Sequence, residues 1–280
     1  NTAAVNYYAC DDTRAIGNEV VGQIIKNMDL DKAREEKQSY TIEFLMGSTD
    51  DNGALFFCNG VLEKLQEYLD DGTLVCKSGN MTFDSTGILR WDQDAAQAKM
   101  ESILDEFYQE EKTPDIIITA SDEFAIGVQE LLEERGILSD SEEWPVITGY
   151  GSELQAVKDV AEGKITLTTY LDRKELAQGG AKMALDYLAG EKVDVKDYSQ
   201  YDNGTKIVGT FTCGAQLIDK DNYQILVDNG TYDEEEIKPD PTPTPTPEPT
   251  STPEPTLTPE VTSTPEATVT PKATVTPTAS

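Results

Sequence analysis

The chain has 280 residues, with 53 acidic against 22 basic side chains and a formal net charge of −31. A field of that sign repels nucleic acid and anionic membrane and offers no positive funnel for phosphorylated ligands; a solubility adaptation of a secreted protein accounts for it without a specific partner. There is no histidine, which removes Ser-His-Asp and Cys-His catalysis and the commonest metal ligand, and the four cysteines (Cys10, Cys58, Cys76, Cys213) lack the C-x-x-C spacing of zinc or thiol-redox sites.

In chain order, short apolar runs alternate with amphipathic patterns. Strands are predicted at 5–9, 40–46, 74–77, 115–120, 144–148 and 165–170. Helices are predicted at 14–28, 54–69, 94–110, 123–135, 152–162 and 174–188. Gly136, Gly163 and Gly190 fall where helix stops belong. Continuous apolar strands such as Ile116-Ile117-Ile118 suit strands buried on both faces. The βαβα order predicts an α/β fold with a doubly wound parallel sheet. Each cysteine sits in an apolar context that favours a buried free thiol, with a Cys58–Cys76 bridge left open.

From Pro239 the character changes. Twelve of the 14 prolines lie between there and Ser280, in a Thr-Pro alternation without an apolar face. Such a segment favours extended, polyproline-like conformations and acts as a spacer, here expected to be disordered.

The most informative stretch is Gly47-Ser48-Thr49-Asp50-Asp51-Asn52-Gly53, between a strand and a helix. Open α/β sheets bind ligands at the carboxyl ends of their strands. The loop holds hydroxyls, carboxylates and an amide but no cation, a set that suits a neutral polyhydroxyl ligand. Its acids also suit helix capping, so both readings stand. No nucleophile–base pair, metal cluster or phosphate loop points to an enzyme, and no cofactor is implied.

Residues 40–100, with that loop, Lys77-Ser78-Gly79 and Leu89-Arg90-Trp91-Asp92…Ala95-Ala96-Gln97-Ala98-Lys99-Met100, resemble the xylose-type and multiple-sugar-binding proteins among the type I periplasmic solute-binding proteins of ABC sugar transporters. Val5-Asn6-Tyr7-Tyr8-Ala9, Tyr201-Asp202-Asn203-Gly204 and Val227-Asp228-Asn229-Gly230 agree, so the likeness is collinear over about residues 3 to 238. It implies two similar lobes joined by three crossing strands around a cleft. Residues 1–12 then hold the last strand of a first lobe and a crossover, 13–170 the second lobe, 171–238 the return to the first lobe with a hinge strand at 206–213, and 239–280 the linker or tail. Most of the first lobe is expected to be missing from these residues.

The resemblance places Asp51 at a sugar-binding position and Trp91 at a cleft aromatic whose ring face stacks on sugar C–H groups, against plain capping and core packing. Arg90 either bonds hydroxyls at the rim or pairs with Asp92 or Asp94. Ser121 stands where the family often has a sugar-contacting Asn, and Asp122 follows as a contact or, more in keeping with its position, a helix cap. Gly53, Gly151 and Leu171 replace an Asn, an Asp and a Lys that contact ligand in the family. Tyr150 and Tyr170 offer hydroxyls and ring faces nearby, or merely pack.

The expected function is extracytoplasmic capture of a small neutral sugar, delivered to an ABC transporter permease. The Thr-Pro tail suggests instead a tethered cell-surface sensor or carbohydrate-binding module, joined to the cell wall, a membrane anchor or a further domain. A LacI-like regulator is the weaker third reading, since it predicts a basic helix-turn-helix and a cytoplasmic setting.

Overall fold

The computed structural model describes residues 2–137 and 144–238; the expected tail, 239–280, lies outside them. The larger of two sheets runs in the order β3 (Leu74–Val75), β2 (Tyr40–Leu45), β4 (Ile116–Thr119), β5 (Val146–Thr148), β6 (Leu167–Tyr170), β8 (Gln216–Asp219). All neighbours are parallel except β8, which runs antiparallel to β6 with Leu167 opposite Asp219. The smaller sheet pairs β1 (Tyr7–Asp11) in parallel with β7 (Gly209–Cys213). The α/β, doubly wound architecture is as expected.

Side chains alternate across a strand, so consecutive apolar residues feed opposite faces. Ile42 and Phe44 of β2, with Ile116 and Ile118 of β4, pack against α1 (Thr13–Asn27) and α3 (Asn52–Asp70) through Ile16, Val20, Phe57, Val61 and Leu65. Leu45, Ile117 and Ile147 point the other way, onto α5 (Gln93–Phe107) and α6 (Asp122–Glu134) through Met100, Ile103, Phe124 and Val128. A smaller cluster under α7 (Leu154–Glu162) joins Val157 to Ile218, Leu226 and Ile237.

The predicted helices all form, with α8 at Arg173–Ala189. Gly163 and Gly190 close α7 and α8 in the left-handed region, at φ of 80° and 73°. Five elements were not anticipated: α2 (Leu30–Glu36), α4 (Phe83–Thr86), α9 (Ile225–Asp228), β8 and a 3-10 turn at Leu89–Trp91. Through β8 and α9 the chain rejoins the larger sheet after β7, so residues 216–237 sit there rather than with β1 and β7. On α8 and the strand region near it, Leu185, Leu188 and Ile207 are exposed, while Met183 and Val208 are buried. All four cysteines are free thiols, and burial pushes Cys58 and Cys76 up to about 11.

Candidate binding site

The chain enters the larger sheet at β2, steps to the edge at β3, then crosses to β4 on the other side of β2. Strand order therefore reverses between β2 and β4, the kind of point at which open α/β sheets bind ligands beyond the carboxyl ends of their strands. The 46–53 and 120–122 segments leave the sheet at that point.

Asp51 caps α3, its carboxylate accepting from Gly53 N at 2.7 Å, and remains exposed. Beside it, Ser48 Oγ donates to Asp50 Oδ1 at 2.5 Å and accepts from Arg90 N at 2.7 Å. A bridge between Met46 and Gly87 brings the short 3-10 turn Leu89–Trp91 alongside β2. Arg90 and Trp91 both adopt left-handed backbone, at φ of 62° and 56°. Non-glycine residues there cost on the order of 1–3 kcal/mol each, so the surrounding contacts must hold them. The Trp91 ring fills the space over Gly47, where a Cβ would come within 2.1 Å of Cη2, and lies 6.0 Å from the Phe124 ring. The indole is half-buried between both core clusters and the rim. Arg90 is exposed and forms no ion pair with Asp92 or Asp94; Asp92 instead caps α5 through Ala95 N.

Just after β4, the cap of α6 is Ser121, whose hydroxyl accepts from Phe124 N at 3.2 Å. The expectation that Asp122 caps this helix is thereby corrected. Asp122 is fully buried and turns under the neighbouring loop, accepting from Thr168 Oγ1 at 2.5 Å and Glu153 N at 2.6 Å. Its own N–H donates to Tyr150 O. Gly149 leaves room for this carboxylate, since a Cβ there would lie 2.1 Å from Asp122 Oδ1. With no cation bonded to it, burial raises the Asp122 carboxyl to about 6. Geometrically, Asp122 serves the loop that carries Tyr150 rather than the crevice surface.

Tyr150 is half-buried, edge-on to Phe57 at 5.4 Å, and its hydroxyl is pushed up first by burial and then by Asp11 and Asp51, against a lowering by Arg173. Tyr170 packs against the cluster of Val157, Ile218, Leu226 and Ile237. Leu171 is 5% exposed within the main core. The structure thus brings Asp51, Arg90, Trp91 and Ser121 to the switch point, with Tyr150 in electrostatic reach of Asp51. It sets Asp122 beneath them and Tyr170 against a separate core.

A cavity of about 420 Å³ opens between β1, the first turn of α3 and the 201–208 segment. Tyr8, Cys10, Asp11, Asn52, Phe56 and Tyr201 contribute to its wall. Tyr201 stands edge-on to Tyr8 at 5.7 Å and to Phe56 at 5.6 Å. Apart from Asn52, whose amide belongs to the loop noted in the sequence, these residues were not assigned to a site, yet two signals were there. Tyr8 and Cys10 share one face of a strand by period two, and Asn52 and Phe56 share one face of a helix by i, i+4.

A family model described as a periplasmic binding protein domain matches residues 1–192. The chain belongs to the periplasmic binding protein family. It is 33% identical over 239 residues to the multiple sugar-binding periplasmic receptor ChvE of Rhizobium radiobacter, covering 85% of this chain and 66% of that protein. It is 34% identical to the multiple sugar-binding periplasmic protein SbpA of Azospirillum brasilense, covering 84% of this chain and 64% of that one. The chain thus spans just under two thirds of the length of these relatives. Among solved structures it resembles a solute-binding protein of an ABC transporter from Clostridium phytofermentans with bound β-D-glucose, at 31% identity and a TM-score of 0.77, covering 85% of this chain and 72% of that one. Among the described residues of this binding protein, no group of three or more acids and cysteines is arranged to hold a metal, and no helix is long and apolar enough to cross a membrane.

Proposed function

We propose that this protein captures a small neutral carbohydrate outside the cytoplasm and hands it to an ABC transporter permease. The observation that carries the reading is the convergence of Asp51, Trp91 and Ser121 on the point where strand order reverses between β2 and β4. Asp51 accepts from a hydroxyl, the indole covers a sugar C–H face, and Arg90 donates from the rim. The two multiple sugar-binding relatives and the glucose-bound solute-binding protein support the same class of ligand. Specificity departs from theirs, because Gly53 has no side chain, Ser121 is short, and Leu171 is buried in the core.

In this reading, residues 1–12 and 171–213 belong to a first lobe, and 13–170 with 216–237 form a second. Ligand stabilises closure only through contacts made to both lobes at once. The Thr-Pro composition of 239–280 supports a second reading, a tethered surface sensor; a membrane anchor or further domain encoded beyond Ser280 distinguishes it from transport. Intrinsic fluorescence tests the sugar site. In a Trp144→Phe background, where Trp91 is the remaining tryptophan, a monosaccharide panel is expected to give a saturable signal change. An unresponsive Trp91 under all sugars that bind contradicts its place in the site.

A further inference from the structure

Asp11 is the last residue of β1 and lines the 420 Å³ cavity. Its Oδ2 accepts from Arg173 Nη1 at 2.7 Å, at the first residue of α8. The Asp11 side chain is 13% exposed and that of Arg173 is 67% exposed. No other hydrogen bond engages either side chain among the described residues, so Asp11 Oδ1 and four of the guanidinium's five N–H groups remain free to act.

The other arginines behave differently. Arg14 is bound to Glu63, Arg34 to Glu67 and Asp71, and Arg135 to Glu101 and Asp105, none of which lines this cavity; Arg90 has no carboxylate partner among the described residues. Arg173 alone among the arginines is joined to an acid of the cavity wall. Asp11 also shares the cavity wall with Asn52 and Gly53, the residues that follow Asp51.

A carboxylate that accepts and a guanidinium that donates, fixed side by side, match two adjacent hydroxyls of a sugar ring. The carboxylate accepts a hydrogen bond from one hydroxyl, and the guanidinium donates to the oxygen of its neighbour. Charge-assisted bonds of this kind are strong, and the planar fork fixes direction as well as distance. We propose that Asp11 and Arg173 form a clamp for a vicinal diol of the ligand and set the specificity of the site by the configuration of that diol. The proposal rests on the sugar-binding reading above.

The rival role is a brace. Asp11 precedes the crossover into α1, Arg173 follows the one out of β6, and Asp12 N donates to Cys213 O at 2.7 Å beside them. Calorimetric titration of the full chain with glucose, its C2, C3 and C4 epimers and the matching deoxy sugars separates the two. The titrations are run on wild type, Asp11→Asn, Arg173→Gln and Arg173→Lys, with a thermal melt of each. The clamp predicts that wild type rejects one deoxy sugar by about tenfold or more, and that this discrimination collapses in every variant. Arg173→Lys is included because it retains the ion pair but loses the fork. An equal loss for all sugars accompanied by a lower melting temperature, or full retention in Arg173→Lys, overturns the clamp in favour of the brace. If wild type binds no sugar of the panel, the function proposed above fails and the clamp with it; if it binds sugars and the variants bind identically, only the clamp fails.

Discussion

At residue scale, the crevice depends on what small residues leave open. Gly47 admits the Trp91 ring to a place where a methyl group would collide with it. Gly47→Ala is therefore expected to displace the indole and lower sugar affinity by tenfold or more, while far-ultraviolet circular dichroism stays as in wild type. Unchanged affinity would remove Trp91 from the site. Asp122 bears on pH. Its folded carboxyl near 6 lies above the ordinary 3.8, so the folded state binds its proton more tightly than the unfolded chain does. The contribution to stability is complete below about pH 4 and is lost as pH rises through about 6, on the order of 3 kcal/mol. Asp159, also raised to about 6 first by burial, acts in the same direction. Denaturant titrations across pH 4–8 should show Asp122→Asn flattening the wild-type dependence; parallel profiles for the two proteins would contradict it.

At element scale, α3 has two claims on Asp51, as cap and as ligand group. They separate by substitution. Asp51→Asn keeps a good cap, so stability is expected to hold while sugar affinity drops. Asp51→Ala adds a loss of about 1 kcal/mol in chemical denaturation. Equal affinity in all three proteins would leave Asp51 as a cap alone. The elements themselves were legible because their signals are local: apolar runs for the strands, 3.6-residue periodicity for the helices, glycine at the stops. What escaped was set by tertiary pairing. Gln216–Asp219 is four residues long and becomes a strand only because β6 offers it an edge. Asp122 has the sequence signature of a cap, yet Ser121, one residue earlier, takes that role and frees the carboxylate for Thr168 and Glu153. Ser78 was notable only within a resembling motif; in the fold its N–H and hydroxyl bond the buried Glu43 of β2, which Tyr108 also reaches.

At the scale of the whole molecule, the two sheets are unequally covered. The larger has helices on both faces, while β1 and β7 form a two-stranded sheet with α8 on one side. Leu188 at 81%, Leu185 at 67%, Tyr187 at 54% and Ile207 at 48% exposed leave an apolar surface around it. Surfaces of this kind associate. Residues 1–238 alone are expected to self-associate with rising concentration in sedimentation velocity, and a monodisperse monomer with a sharp cooperative melt would contradict the assignment of 1–12 and 171–213 to a larger lobe. The central claim is that the β2–β4 switch point is a site for a neutral sugar. Isothermal calorimetry of the full chain against pentoses, hexoses and disaccharides tests it most directly, with Asp51→Ala and Trp91→Ala measured in parallel. Saturable binding of a neutral sugar, weakened at least tenfold by each substitution, is the predicted result; sugar binding that neither substitution alters would contradict it.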